Sequence, residues 1–108
     1  MRLGLFDFVK PRDINEGVKT CAETAGAVLL DVRNMDEYAT GHIPGSINLP
    51  LPVISEAEQR IPNKATPLFI YCLAGTRSSR AISALKAMGY TNLHNIGGIR
   101  SWHGVMEK

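Results

Sequence analysis

The chain holds little from which a staple, a stacking platform or a membrane span is built. Its 108 residues include two cysteines, one tryptophan and only 6% aromatic residues. Two cysteines close one disulfide at most, which excludes a disulfide-dense secreted scaffold. No apolar run approaches the ~18 residues needed to cross a bilayer, so no membrane partner is expected. An excess of one charge is also missing: 12 Lys and Arg stand against 10 Asp and Glu, for a net +2. The basic residues are scattered and no aromatic platform accompanies them, so nucleic acid is not an expected partner and small anions suit the chain better. His94 and His103 have no companions at metal-ligand spacing, and no metal site is expected.

What is present describes an ordinary globular domain. Hydrophobic residues make up 44% and charged residues 20%, and 108 residues bury a core without external staples. A single domain is expected over residues 1–108, with its core from about 14 to 104. The segment Met1–Lys10 is interrupted by Asp7 and is followed by no small-residue cleavage site, so it reads as a structural segment rather than a leader. Cys21 falls in a helical stretch and Cys72 at a strand end. Two free thiols and a cytoplasmic location are therefore expected.

Strand-like and helical runs alternate, which implies an α/β fold with a central parallel sheet and helices on both faces. Asp13 is placed to cap a helix from Ile14 to about Thr24, stopped by Gly26. Ala27–Leu30 is continuously apolar, as in a strand covered on both faces. Asn34 caps a short helix, Met35–Thr40, and Gly41 ends it. A turn over His42–Gly45 leads to a short strand at Ser46–Leu49, and Ser55–Arg60 reads as one or two helical turns. Pro67–Tyr71 is the central strand. Ala81, Ile82, Leu85 and Met88 mark a helix capped by Ser78 or Ser79 and ended by Gly89. Leu93–Ile96 reads as a last strand, Gly97-Gly98 as a turn, and Ile99–Trp102 as a terminal helical turn.

The chemistry concentrates where the central strand ends. Leu68-Phe69-Ile70-Tyr71 delivers Cys72 into Leu73-Ala74-Gly75-Thr76-Arg77-Ser78, a short stretch that opens a helix. Backbone N–H groups of such a loop point inward and favour an anion. They also favour the thiolate over the thiol. A free thiol with a pKa near 8.5 is only ~3% ionised at pH 7, and lowering it to ~6.5 takes about 2.7 kcal/mol of selective anion stabilisation. The loop N–H groups, the helix start and the charges of Arg77 and Arg80 are candidates to supply it. Gly75 permits the positive φ of a tight curl, and the Ser78 and Ser79 hydroxyls are candidates to reach an anion there. In open α/β sheets ligands bind beyond the carboxyl ends of strands, where both Asp31 and Cys72 fall.

Over Ile14–Gly104 the chain resembles the rhodanese-like domains. The resemblance rests on Leu30-Asp31-Val32-Arg33 with Glu37-Tyr38, on Gly41-His42-Ile43-Pro44-Gly45-Ser46-Ile47-Asn48, and on Tyr71-Cys72-Leu73-Ala74-Gly75-Thr76-Arg77-Ser78. Gly89-Tyr90 and Gly97-Gly98-Ile99 with Trp102 complete it, in matching order and spacing. The resemblance implies a compact domain without cofactor or metal, in which Cys72 is the sulfur acceptor. It further implies a small anionic sulfur donor such as thiosulfate, a persulfide at Cys72, and transfer to cyanide, a thiol or a thioredoxin-like acceptor. Leu73 to Ser78 would line the substrate site.

Related phosphatases and arsenate reductases use the same thiolate with one more residue in the loop. Here four residues separate Cys72 from Arg77, which favours a sulfur atom over a tetrahedral oxyanion. A non-catalytic binding module is the third reading, disfavoured by the intact Cys72, Gly75 and Arg77. Asp31 and Arg33 are expected to brace the sheet edge, with Glu37 as a candidate partner of Arg33. His42 is expected to stabilise its turn, Trp102 to pack the terminal turn on the sheet, and Cys21 to be a core residue. Arg80 is either a pocket charge or a solvated one.

Overall fold

A computed structural model describes residues 12–108, so Met1–Lys10 lies outside the described residues. Asp13 is extended and its carboxylate accepts the Asn15 N–H, which starts helix α1 over Ile14–Ala22. Strand β1, Val28–Asp31, follows, and then the short helix α2, Met35–Thr40, begins after Asn34 and stops at Gly41. Strand β2 is only Ile47–Asn48. Pro50 and Pro52 then favour a tight 3-10 helix over Leu51–Glu56, which runs on into α3, Ala57–Arg60. Helical structure thus starts four residues before the expected Ser55.

The central strand β3 spans Leu68–Cys72 and precedes helix α4, Thr76–Ala87. Strand β4 is Leu93–Gly98, and a 3-10 turn follows at Ile99–Ser101. The four strands are parallel in the order β2-β1-β3-β4. Because β1 and β3 are interior and covered on both faces, their sequences are apolar runs rather than alternations. Every residue of β3 is buried.

The period of two along β3 divides the core. Leu68, Ile70 and Cys72 face Ile54, Ala57, Ala81 and Leu85, from the 3-10 helix, α3 and α4. Phe69 and Tyr71 face the other way, toward Ile14 and Cys21 of α1 and Ile96 of β4. This alternation decides where the thiol goes: Cys72 has the parity of Leu68 and Ile70, so it points to the side on which α4 starts.

Two sequence expectations fail here. Gly97-Gly98 is not a turn but the end of β4: the register runs Ile70 with Asn95, then Tyr71 with Gly97 and Cys72 with Gly98. Ile96 is the extra residue of a bulge, and Gly97 takes a φ of 105° beside it. Helix α4 is not capped by Ser78 or Ser79 either. It begins at Thr76, with Gly75 as the preceding residue, so both serines lie in its first turn.

Candidate active site

Cys72 is 1% exposed, at the carboxyl end of the most buried strand. The chain must reverse within three residues to enter α4, and Gly75 makes this possible with a φ of 99°, in the left-handed region. The curl turns its N–H groups inward. Sγ of Cys72 accepts the N–H of Gly75 at 3.0 Å and that of Ser78 at 3.4 Å. The Ser78 hydroxyl stands 3.6 Å away. Burial pushes the thiol pKa up, but the hydroxyl and N–H of Ser78 and the N–H groups of Gly75 and Ala74 outweigh it, so the net direction is down.

The expected loop residues divide by environment. Gly75 and Ser78 are buried against the sulfur, while Ala74 and Thr76 are exposed at the rim. Leu73 packs on the α1 side of the sheet, and its carbonyl accepts the Arg100 N–H at 3.2 Å. Arg80 is exposed on the outer face of α4.

Arg77 is occupied by an acid that the sequence reading assigned elsewhere. Its two terminal nitrogens donate to the two oxygens of Glu37, at 2.7 and 3.0 Å. The Arg77 guanidinium holds the Glu37 carboxyl well below its usual value, at about 2. Glu37 also accepts the Asn34 N–H at 2.9 Å, so one carboxylate closes the first turn of α2 and ties it to the active loop. The expected pairing of Arg33 with Glu37 is therefore corrected. Arg33 instead grips Asp31 through Nε and Nη2, and Nη2 also donates to the Gly41 carbonyl at 2.7 Å. Asp31 and Arg33 are 0% and 4% exposed, which makes them the brace of the sheet edge.

His42 stabilises its turn: the ring stacks on Tyr38 at 3.7 Å and Nδ1 lies 2.9 Å from the Tyr38 carbonyl. Trp102 packs on the α1-side core and donates its indole N–H to the Val105 carbonyl. Cys21 is buried in that same core, its thiol pushed up by burial, and both cysteines are free.

Two residues at the loop were not read as part of the site: Asn95 was not singled out, and Gly98 was expected only in a turn and in the family pattern. Gly98 lies so close beneath the loop that a Cβ there would collide with the Leu73 carbonyl and the Ala74 Cα. Asn95 contacts Ser78, Ser79, Gly75 and Gly97 through its side chain.

A parallel α/β sheet thus holds a buried cysteine between its central strand and the following helix, with loop N–H groups directed at the sulfur. The chain belongs to the rhodanese-like domain family, whose model matches residues 15–104. It is 37% identical over 82 residues to an uncharacterized protein, YqhL, of Bacillus subtilis, covering 75% of this chain and 64% of that one. It is 38% identical over 72 residues to the thiosulfate sulfurtransferase PspE of Escherichia coli, covering 66% of this chain and 69% of that one. A solved structure described as a rhodanese with anions, from E. coli, superimposes with a TM-score of 0.70 at 34% identity, over 76% of this chain and 98% of that one. Among the described residues no helix is long and apolar enough to cross a membrane.

Proposed function

We propose that this rhodanese-like protein is a sulfurtransferase that carries a sulfane sulfur on Cys72. The observation that carries the reading is the buried Sγ at the centre of the Cys72–Arg77 loop, facing the Gly75 and Ser78 N–H groups. Relatives named sulfurtransferases support the same class. In the first half-reaction the Cys72 thiolate attacks the outer sulfur of thiosulfate. The S–S bond to the sulfonate breaks, its electron pair leaves with sulfite, and the anionic persulfide takes the charge. In the second, a nucleophile such as cyanide or a thiolate attacks the terminal sulfur and returns Cys72 as thiolate.

Leu73 to Ser78 form the substrate site in this reading. The N–H groups hold the sulfur, and Ala74 and Thr76 form the rim that a donor or an acceptor crosses. The pairing of Arg77 with Glu37 supports sulfur transfer over phosphoryl chemistry, because its guanidinium is already engaged in a bidentate ion pair. Thiosulfate treatment followed by mass spectrometry tests the reading. The expected result is one added sulfur, lost on addition of cyanide and absent in Cys72→Ser. No adduct, an adduct that survives Cys72→Ser, or aryl-phosphate turnover in place of sulfur transfer overturns it.

A further inference from the structure

The Ser78 hydroxyl has one proton and three neighbours that can accept it. Its oxygen is 2.9 Å from the Gly75 carbonyl, 2.9 Å from Oδ1 of Asn95 and 3.6 Å from Sγ of Cys72. Ser78 is fully buried, so water does not arbitrate among them. The proton therefore goes where the local charge calls it. A Cys72 thiolate calls it to sulfur, and a neutral sulfur releases it to an oxygen.

Asn95 is built to tolerate both states. Oδ1 also accepts the Gly97 N–H at 3.0 Å, and Nδ2 donates to the Ser79 hydroxyl at 2.9 Å and the Gly75 carbonyl at 3.2 Å. The reverse amide orientation would set Nδ2 against the Gly97 N–H and Oδ1 against the Gly75 carbonyl, so the partners determine it. When the Ser78 proton turns to sulfur, Oδ1 keeps Gly97 and the Gly75 carbonyl keeps Nδ2. No buried acceptor is stranded, and the move avoids the usual cost of an unsatisfied group.

We propose that Asn95 is a positioning residue for the Cys72 thiolate: Oδ1 shares the Ser78 proton with the sulfur, and Nδ2 pins the Gly75 carbonyl so that the loop N–H groups face Sγ. The bulge at Ile96 serves this arrangement. It lets β4 pair Asn95 with Ile70 and still bring Gly97 and Gly98 beside the last two residues of β3. The proposal rests on reading Cys72 as a thiolate nucleophile, and it adds how the fold adjusts that thiolate.

Arg77, held by Glu37 of α2, is a charge that acts on Cys72, and the Asp31–Arg33 pair closes the neighbouring strand β1. None is altered in the variants that test the proposal. The full chain carrying Cys21→Ala leaves Cys72 as its one cysteine, and the pH dependence of iodoacetamide alkylation then reports its thiolate. Asn95→Asp places a carboxylate against Ser78, which captures the proton and adds like charge. The alkylation midpoint is expected to rise by about one pH unit, a roughly tenfold slower reaction at pH 6.

Asn95→Ala leaves Gly75 as the remaining oxygen competitor for the Ser78 proton and loosens the curl. A smaller rise is expected, and it should shrink to less than half in a Ser78→Ala background. Circular dichroism establishes which variants fold, and either Asn95 variant alone suffices. A lowered wild-type midpoint that a folded Asn95 variant leaves unmoved overturns the role of Asn95. A wild-type midpoint in the ordinary thiol range overturns the thiolate reading itself.

Discussion

Replacing Glu37 with glutamine removes the charge that joins α2 to the active loop and keeps nearly the same shape. The Glu37 carboxyl is lowered from an ordinary 4.5 to about 2, chiefly by its hydrogen bonds to Arg77. Counted in full, that lowering corresponds to about 3.4 kcal/mol of folding stability by linkage. The two side chains are 29% and 31% exposed, however, so solvent screens the pair. About 1 kcal/mol is the reasonable expectation for a bidentate pair in this setting.

For a domain of this size that corresponds to a melting point about 4–8 °C lower at pH 7. The sign follows from the direction of the lowering. A carboxyl depressed on folding contributes fully above its unfolded value and loses that contribution as pH falls through its folded value. The gap between wild type and Glu37→Gln should therefore be constant down to about pH 5, narrow below 4.5 and close near pH 2. Urea unfolding of both proteins across that range measures it. A gap below about 0.3 kcal/mol at pH 7, or one that stays the same at pH 2.5, would refute the assignment of the pair as the link between helix and loop.

Three further outcomes follow from the same geometry. Gly98→Ala pushes a methyl group into the Leu73 carbonyl and Ala74, and should cost about 1–3 kcal/mol while slowing alkylation of Cys72, read by urea unfolding and iodoacetamide kinetics. Asp31→Asn leaves the buried Arg33 guanidinium uncompensated and should destabilise by about 3–5 kcal/mol, with the melting point as the readout. Inserting one residue between Cys72 and Arg77 should lower thiosulfate turnover at least tenfold, and unchanged turnover would defeat the loop-size argument.

The elements legible in the chain are those that local chemistry dictates. Asp13 marks a helix start because its carboxylate accepts a free N–H, and Asn34 because Glu37 three residues on accepts its N–H. The apolar runs ending at Asp31 and Tyr71 mark interior strands, because a strand covered on both faces has no polar side to alternate. The helix after Cys72 was legible, but its start was not. Serines are good caps in isolation, yet Gly75 in the left-handed region allows the helix to begin three residues earlier, and Ser78 is left to face the sulfur.

Partnerships between distant parts of the chain were not legible. Arg33 had three acids nearby in sequence, Asp31, Asp36 and Glu37, and nothing local chose among them. The fold chose, because α2 sets Glu37 against Arg77, 40 positions further along the chain. Asn95 and Gly98 were hidden for a related reason. Asn95 acts because β4 pairs it with Ile70, and Gly98 because the bulge that follows brings it beside Cys72.

The sequence by itself determined a thiol at the end of a buried strand, a glycine to curl the loop behind it, and an alternation of strands and helices. Each follows from interactions within a few residues. Only the tertiary structure decided which face Cys72 takes, which acid holds Arg77, and which amide sits behind Ser78. Those depend on strand register and helix packing, where contacts between distant residues outweigh local preference.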